Sequence, residues 1–198
     1  ANRDNAFGIM ALEGMAPTLS GQELLDRIAE FSPGMQKSRE LAALRTVAAQ
    51  RLKTDIGQPY MNIMQGDADG QIVTLTSVID NPANKYTLVD FWASWCGPCR
   101  WAIPKGEQLY KRYDRSRLTV VSVSFDQKQA DWEKAMKEEA MPWMQLWAGS
   151  REQMTAAQQA YHISGIPRLM LIAPDGAIVF SGNNADALRL AVEKYLGK

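Results

Sequence analysis

The chain has 198 residues, of which 46% are apolar, and its 22 Lys and Arg residues balance its 22 Asp and Glu residues. This length suits one domain, or one domain with an appendage, and zero net charge argues against binding to nucleic acid or to an acidic membrane surface. No uncharged apolar run approaches the roughly 18 residues of a membrane span, so we expect none within the chain.

The first 56 residues are predicted to be a helical segment. Residues 1–19 mix Gly, Pro, Asn and Met without a period, so we expect them to be poorly ordered. Ser20-Gly21-Gln22-Glu23 then has the spacing of a capping box and precedes an apolar stripe. A second helix is predicted after Pro33-Gly34 by a stripe at helical spacing: Leu41, Leu44, Val47, Ala48 and Leu52.

From Gly57 to the last residue the pattern predicts an α/β domain. Residues 60–64 and 71–75 predict a hairpin, and the apolar strand 85–92, interrupted only by Asp90, leads into a helix that ends near residue 115. The later elements alternate: strand 118–125, helix 129–140, strand 144–147, helix 152–161, strands 168–173 and 177–181, and a last helix capped by Asn184. Helices therefore cover both faces of a sheet that its last two strands make mixed.

The chain's only two cysteines lie in Trp95-Cys96-Gly97-Pro98-Cys99, between the strand and the helix. The amino end of a helix favours a thiolate, so Cys96 is the predicted nucleophile. Cys99, one turn later, is predicted to be more buried and to resolve a mixed disulfide. Gly97 permits a sharp turn, Pro98 fits the first helical turn, and Trp95 offers a flat apolar wall, so that a partner polypeptide can approach closely.

Two other interpretations of the cysteine pair are weaker. Zinc needs about four nitrogen or sulfur ligands, and the chain offers only His162 beside the cysteines. A purely structural disulfide across three residues would constrain little chain entropy. We therefore expect no metal and no other cofactor, with a redox-active Cys96–Cys99 disulfide as the reacting group.

The segment Val89–Arg100 resembles the active-site segment of thioredoxins, and it is especially similar to the periplasmic thioredoxin-like group that includes the cytochrome-c-maturation reductases. Tyr161–Pro167 resembles the Gly-Ile-Pro loop of that family. The helix after Asp126 is similar to the inserted helix of the periplasmic group, Gly57–Leu75 to its added N-terminal hairpin, and the preceding helical segment to a region found in a Bacteroidetes-type subgroup. The resemblance implies a thioredoxin-like fold with a mixed central sheet over residues 57–198.

The resemblance also implies roles for individual residues. Cys96 would attack and Cys99 would resolve, while Ile166 and a cis Pro167 would face the disulfide in a loop that pairs with the substrate backbone. Asp90 would be the buried carboxylate that moves a proton to and from Cys99, with a pKa raised by burial. The alternative for Asp90 is an edge or bulge position satisfied by solvent.

One position departs from the pattern of the periplasmic group. Many of its members carry an acidic residue three positions after the second cysteine, where this chain has Ala102. That departure leaves Asp90 as the only nearby carboxylate and weakens a cytochrome-maturation role. The adjacent Trp101 fits two alternatives equally well, apolar surface near the site or core.

The function predicted from these residues is enzymatic: a thiol–disulfide oxidoreductase that reduces protein disulfides and is recharged by an upstream electron donor. We expect a monomer in the periplasm or cell envelope, with any membrane tether outside this chain. One alternative is a peroxiredoxin-like peroxidase, which uses a Pro-Thr-Cys context that neither Thr87 nor Pro98 supplies. The other is a non-enzymatic copper-delivery module, which typically has CxxxC spacing and a distal histidine.

Overall fold

The computed structural model describes residues 4–16 and 19–197, and the chain divides into two compact units between Gln58 and Pro59. The first unit is helical in its described residues. Its helices are α1 Ala6–Met15, α2 Gly21–Ala29 and α3 Arg39–Arg51, with short 3-10 turns at Met35–Lys37 and Leu52–Thr54.

Helix α1 corrects the expectation that residues 1–19 are poorly ordered. Asn5 caps it by accepting a hydrogen bond from the backbone N–H of Gly8 at 3.0 Å. Ile9 and Leu12 are buried in a core shared with α2 and α3, and burial of apolar surface offsets the entropy lost on ordering the segment. Residues 1–3 and 17–18, which the same expectation covered, lie outside the described residues.

Helix α2 begins as its sequence predicts. The Ser20 hydroxyl accepts from the N–H of Glu23, and the Glu23 carboxylate accepts from the N–H of Ser20, which completes the capping box. Gly21 packs so closely on α3 that a Cβ there would lie 2.6 Å from the carbonyl oxygen of Ala48. A side chain at residue 21 would therefore separate the two helices.

The second unit contains a seven-stranded sheet in the order β2-β1-β5-β4-β3-β6-β7 among its described residues. Its elements in chain order are β1 Met64–Gly66, β2 Ile72–Thr74, α4 Leu75–Ile79, β3 Tyr86–Trp92, α5 Gly97–Arg112, β4 Leu118–Ser124, α6 Gln129–Glu138, β5 Met144–Trp147, α7 Arg151–Ala160, β6 Arg168–Ile172, β7 Ile178–Gly182 and α8 Ala185–Leu196. Strands β3, β4 and β5 are parallel, and the other pairs are antiparallel. The predicted mixed α/β architecture is confirmed, including the hairpin and the additional helix α6.

Two cores lie on opposite faces of this sheet. Residues Leu88 and Trp92 of β3 pack with side chains of α5, α6 and α8, whereas Val89 and Phe91 pack with side chains of α4 and α7. This alternation is the period-2 geometry of a strand covered on both faces. Asp90 shares the parity of Leu88 and Trp92, so it faces the α5 side.

The hairpin region differs from its prediction in two details. Strand β1 starts at Met64 rather than near residue 60, because Tyr60 bonds to the Gly176 carbonyl and Met61 bonds to the Tyr161 hydroxyl instead of joining a strand ladder. The second predicted strand stops at Thr74, whose hydroxyl accepts from the N–H of Ser77 and caps the short helix α4.

Candidate functional site

Cys96 and Cys99 form a disulfide at the junction between β3 and α5, with their Cα atoms 5.2 Å apart. The two residues are 5% and 2% exposed, so the second cysteine is only slightly more covered than the first. Both sulfur atoms lie in the core on the α5 side of the sheet. The sequence prediction that the two side chains converge at a helix start agrees with this geometry.

The position of Cys96 at the start of α5 gives its sulfur an electropositive setting. Cys96 is the N-cap residue of this 16-residue helix, and its Sγ accepts a hydrogen bond from the N–H of Cys99 at 3.2 Å. The aligned peptide dipoles and unpaired amides of a helix start favour negative charge there. After reduction, this end of α5 therefore stabilises a thiolate on Cys96.

Asp126 is a buried residue next to the cysteine loop that sequence reasoning missed. It lies two residues after the end of β4, is only 2% exposed, and accepts three hydrogen bonds through its carboxylate. The Ser94 N–H and hydroxyl donate at 2.9 and 2.6 Å, and the Ser124 hydroxyl donates at 2.7 Å. Asp126 therefore fixes the loop that leads into Trp95 and Cys96.

Replacing Asp126 with alanine is expected to destabilise the second unit by about 2–4 kcal/mol. The loss of this acceptor leaves an amide and two hydroxyls without a partner. An unpaired buried group costs about 1–3 kcal/mol, and the half-buried Ser94 recovers part of that cost from water. Denaturant unfolding followed by tryptophan fluorescence measures the change, since all six tryptophans lie after residue 58. Asp131→Ala, at an exposed position of α6, is the matched control. A loss no larger than that of the control would contradict the anchoring role of Asp126.

The loop before β6 forms the opposite wall of the disulfide. The Ile166–Pro167 peptide bond is cis, in agreement with the resemblance, and the carbonyl oxygen of Ile166 lies 3.6 Å from Cys96 Sγ. Pairing of Phe91 in β3 with Arg168 in β6 brings this loop and the cysteine loop to the same end of the sheet. Ile166 and Pro167 are half-buried and border the disulfide.

The rim around the disulfide is apolar and open. Trp95 is 67% exposed, and Gly97 and Pro98 are exposed as well. Trp101 is 80% exposed, which decides between its two alternatives in favour of surface. This rim presents flat apolar area where another polypeptide would have to lie to reach Cys96.

Asp90 is half-buried and lies in the middle of the sheet rather than at an edge. Its strand β3 is hydrogen-bonded to β4 on one side and to β6 on the other, which excludes the edge alternative. Its carboxylate accepts a hydrogen bond from the Ser122 hydroxyl at 3.3 Å and borders a cavity of about 20 Å³, enough for one water molecule. Burial raises the pKa of Asp90 to about 7, and the Ser122 hydrogen bond opposes that rise.

Two further observations concern metals and membranes. Within residues 4–16 and 19–197, no group of three or more His, Cys, Asp or Glu side chains is arranged to hold a metal ion. None of the described helices has the length and apolar character needed to cross a membrane.

Known proteins resemble this chain in sequence and in fold. The family model described as Thioredoxin-like matches residues 84–178. The thioredoxin domain of a thiol-disulfide oxidoreductase from Bacteroides vulgatus is 30% identical with a TM-score of 0.65, and the match covers 71% of this chain and 97% of that domain. The thiol-disulfide oxidoreductase ResA of Bacillus cereus is 24% identical over 131 residues, which are 66% of this chain and 71% of ResA.

A longer relative limits how far its properties transfer. Nucleoredoxin 1 of Arabidopsis thaliana is 29% identical over 153 residues, which make up 75% of this chain but only 25% of that protein. This chain thus corresponds to about a quarter of that relative. The chain belongs to the thioredoxin-like family of thiol–disulfide oxidoreductases.

Proposed function

We propose that this chain reduces disulfides in other proteins through a Cys96/Cys99 dithiol. The observation that carries the proposal is the sulfur pair at the amino end of α5, bonded to itself and bordered by an exposed apolar rim. A pair that can close on itself releases its partner after each reaction. The Gly97-Pro98 spacer is that of thioredoxins, which favours the reducing direction.

The chemistry needs two exchanges. The Cys96 thiolate attacks one sulfur of the substrate disulfide, so that a Cys96–substrate bond forms and the other substrate sulfur leaves as a thiolate. The Cys99 thiolate then attacks Cys96, which closes the intramolecular disulfide and releases the second substrate sulfur. The substrate gains two electrons and two protons, and the protein loses them, so an upstream dithiol donor must reduce Cys96–Cys99 again.

Asp90 is the proposed base for the second exchange. Cys99 has to lose its proton before it can attack, and a carboxylate that titrates near neutrality can accept that proton. The water-sized cavity beside Asp90 offers room for an exchangeable carrier. Asp90 would then return the proton to solvent when the protein is oxidised.

The rim supports a substrate-binding role for five predicted residues. Trp95, Gly97 and Pro98 present one side, and Ile166 with Pro167 presents the other, so a substrate strand would lie across Cys96 between them. The carbonyl of Ile166, 3.6 Å from Cys96 Sγ, would accept a hydrogen bond from that strand. Trp101 extends the same apolar rim along α5.

The cellular setting is proposed from the resemblance to the periplasmic group. The protein would act in the periplasm or cell envelope, as a monomer, on protein disulfides, with the disulfide itself as its redox group. Any membrane tether would lie outside this chain. Similarity to ResA supports a role in thiol–disulfide exchange.

A single-turnover assay tests the proposed function. The protein, reduced with dithiothreitol and freed of it, is mixed with insulin, and insulin cleavage is compared with oxidation of Cys96 and Cys99. One insulin disulfide is expected to be cleaved for each dithiol oxidised. Equilibration with glutathione buffers then gives the potential: a value below about −200 mV fits a reductase, and one near about −120 mV fits an oxidant and would reverse the direction. Rapid peroxide consumption, or tight stoichiometric copper binding without insulin cleavage, would favour one of the two alternatives instead.

A further inference from the structure

A chain of two hydrogen bonds ends on the Asp90 carboxylate. The indole Nε1–H of Trp143 donates to Ser122 Oγ at 2.8 Å, and the Ser122 hydroxyl donates to Asp90 Oδ2 at 3.3 Å. Ser122 is fully buried and Trp143 nearly so. Neither residue belongs to the rim, to the cysteine loop or to the cis-proline loop.

The register of the sheet positions the three residues that form these hydrogen bonds. Asp90 in β3 is the direct neighbour of Ser122 in β4, and both side chains lie on the α5 face. Trp143 precedes β5, whose first residue pairs with Val121 of β4, so its indole reaches the same row. Backbone pairing therefore holds all three groups in place.

The two hydrogen bonds have a fixed direction because the indole N–H of tryptophan can only donate. With the indole N–H held on the oxygen of Ser122, the hydroxyl hydrogen of Ser122 is directed to the carboxylate. Linked donors of this kind polarise one another, and a hydrogen bond to the charged form favours ionisation. The arrangement thus stabilises ionised Asp90 in a site where burial works against it.

The charges that face Asp90 are few among the described residues. Lys105 of α5 borders the same cavity, but its ammonium pairs with Asp186 of α8 at 2.5 Å. Strand β6 and helix α8 present only apolar side chains to this cavity, Leu169, Ala185 and Leu188. Cys99, on α5, becomes a further titrating group only after reduction. In the oxidised protein the cavity therefore holds one carboxylate and one ammonium that is already paired.

We propose that Ser122 and Trp143 are positioning residues that set the pH at which Asp90 exchanges its proton during the thiol–disulfide reaction. The proposal rests on the proposed role of Asp90 as the base for Cys99. It assigns the hydrogen bond between Trp143 and Ser122 to a residue that directly precedes β5 and is 53 positions away in sequence from Asp90. Loss of either hydrogen bond is expected to raise the pH at which Asp90 exchanges its proton. The larger increase is expected when the bond from Ser122 to Asp90 is lost.

The test is a carboxyl-carbon NMR titration of Asp90 in the oxidised protein, where neither cysteine titrates. Ser122→Ala is expected to move the Asp90 midpoint upward by about one pH unit, the scale of one hydrogen bond to a charged group. Trp143→Phe should move it less and in the same direction, and Ser122→Thr, which keeps the hydroxyl, should restore it. Trp132→Phe is the matched control, since the buried Trp132 Nε1 has no hydrogen-bond partner among the described residues.

The hydrogen-bonded chain can also be tested in the wild-type protein, where no substitution alters the structure. The indole N–H resonance of Trp143 should shift with the same midpoint as Asp90, whereas that of Trp132 should not. The proposal would be overturned if the Trp143 indole N–H resonance did not change as Asp90 titrates. Equal Asp90 midpoints in Ser122→Ala and wild type would also overturn it.

Insulin reduction separates this proposal from the proposed function. The acidic limb of its pH profile should follow the NMR midpoint in each variant, because the base must be ionised to accept a proton. If wild type cleaves insulin but Ser122→Ala has the same acidic limb in its pH profile, the proposal is overturned and the reductase function remains intact. Absence of insulin cleavage by wild type would refute the function itself and with it the role of the chain in the reaction.

Discussion

Cys96→Ser is expected to lower the rate of insulin reduction at least about a thousandfold, the scale on which loss of a covalent nucleophile acts in enzymes. A serine hydroxyl is almost fully protonated at neutral pH, and the amino end of α5 cannot compensate for that. Cys99 cannot take over, since it lies within the helix rather than at its N-cap position. The fold should persist, because a bridge across three residues contributes little to stability.

Cys99→Ala is expected to behave differently, because it removes only the resolving step. Cys96 can still attack, but the mixed disulfide then has no internal thiol to displace it. Incubation with oxidised cell-envelope proteins should give covalent adducts that run at higher mass without reductant and disappear with it. Identification of those adducts would name the substrates.

The double variant Cys96→Ser with Cys99→Ala is the control for the trapping experiment. It should give no adducts, because the chain contains no other cysteine. If Cys99→Ala gave no adducts while Cys96 still reacted with an alkylating agent, the two-step mechanism would be wrong. If Cys96→Ser retained the activity of wild type, the assignment of the nucleophile would be wrong.

The cysteine loop was predictable because its chemistry is local. Cys96, Gly97, Pro98 and Cys99 are consecutive, and the apolar strand before them fixes the strand-to-helix junction. The central position of Asp90 was also accessible, since a single carboxylate within an apolar strand indicates burial. The exposure of Trp101 could have been found from helical phase, since two residues turn a side chain by about 200° from the buried Cys99.

The residues that sequence reasoning missed act through contacts across the fold. Ser94 and Asp126 are 32 positions apart, and Asp90 and Trp143 are 53 apart, so no local period joins them. A weak signal existed for Asp126, because polar residues just after parallel strands gather at one edge of a sheet. Helix α1 was missed for another reason: its apolar residues surround the helix and give no amphipathic stripe, and the packing of Ile9 and Leu12 that stabilises it is a tertiary contact.

Asp90→Asn is expected to stabilise the oxidised protein at pH 8 by about 2–4 kcal/mol. The pKa of Asp90 is about 7 in the folded protein and about 3.9 in an unfolded chain, so the folded state binds the proton more tightly. The stability that this proton contributes is fully present below pH 4, is lost progressively as the pH rises to 7, and is absent above that. Asparagine is neutral at every pH and keeps an acceptor for the Ser122 hydroxyl, so the cost of burying a charge is removed.

Denaturant unfolding of oxidised wild type and Asp90→Asn at pH 5 and pH 8 measures this linkage, with tryptophan fluorescence as the signal for the second unit. Wild type should lose stability between the two pH values, relative to the variant, by about two-thirds of what the variant gains at pH 8, because the remaining third is already lost between about pH 4 and pH 5. The exposed Asp131→Asn should follow wild type. A variant that is less stable than wild type at pH 8, or that keeps the wild-type pH dependence, would contradict the prediction. In that case the ionised Asp90 carboxylate would not lower the free energy of unfolding. The expected result would mean that the second unit sacrifices stability above neutral pH in order to keep an ionised carboxylate in the middle of its sheet.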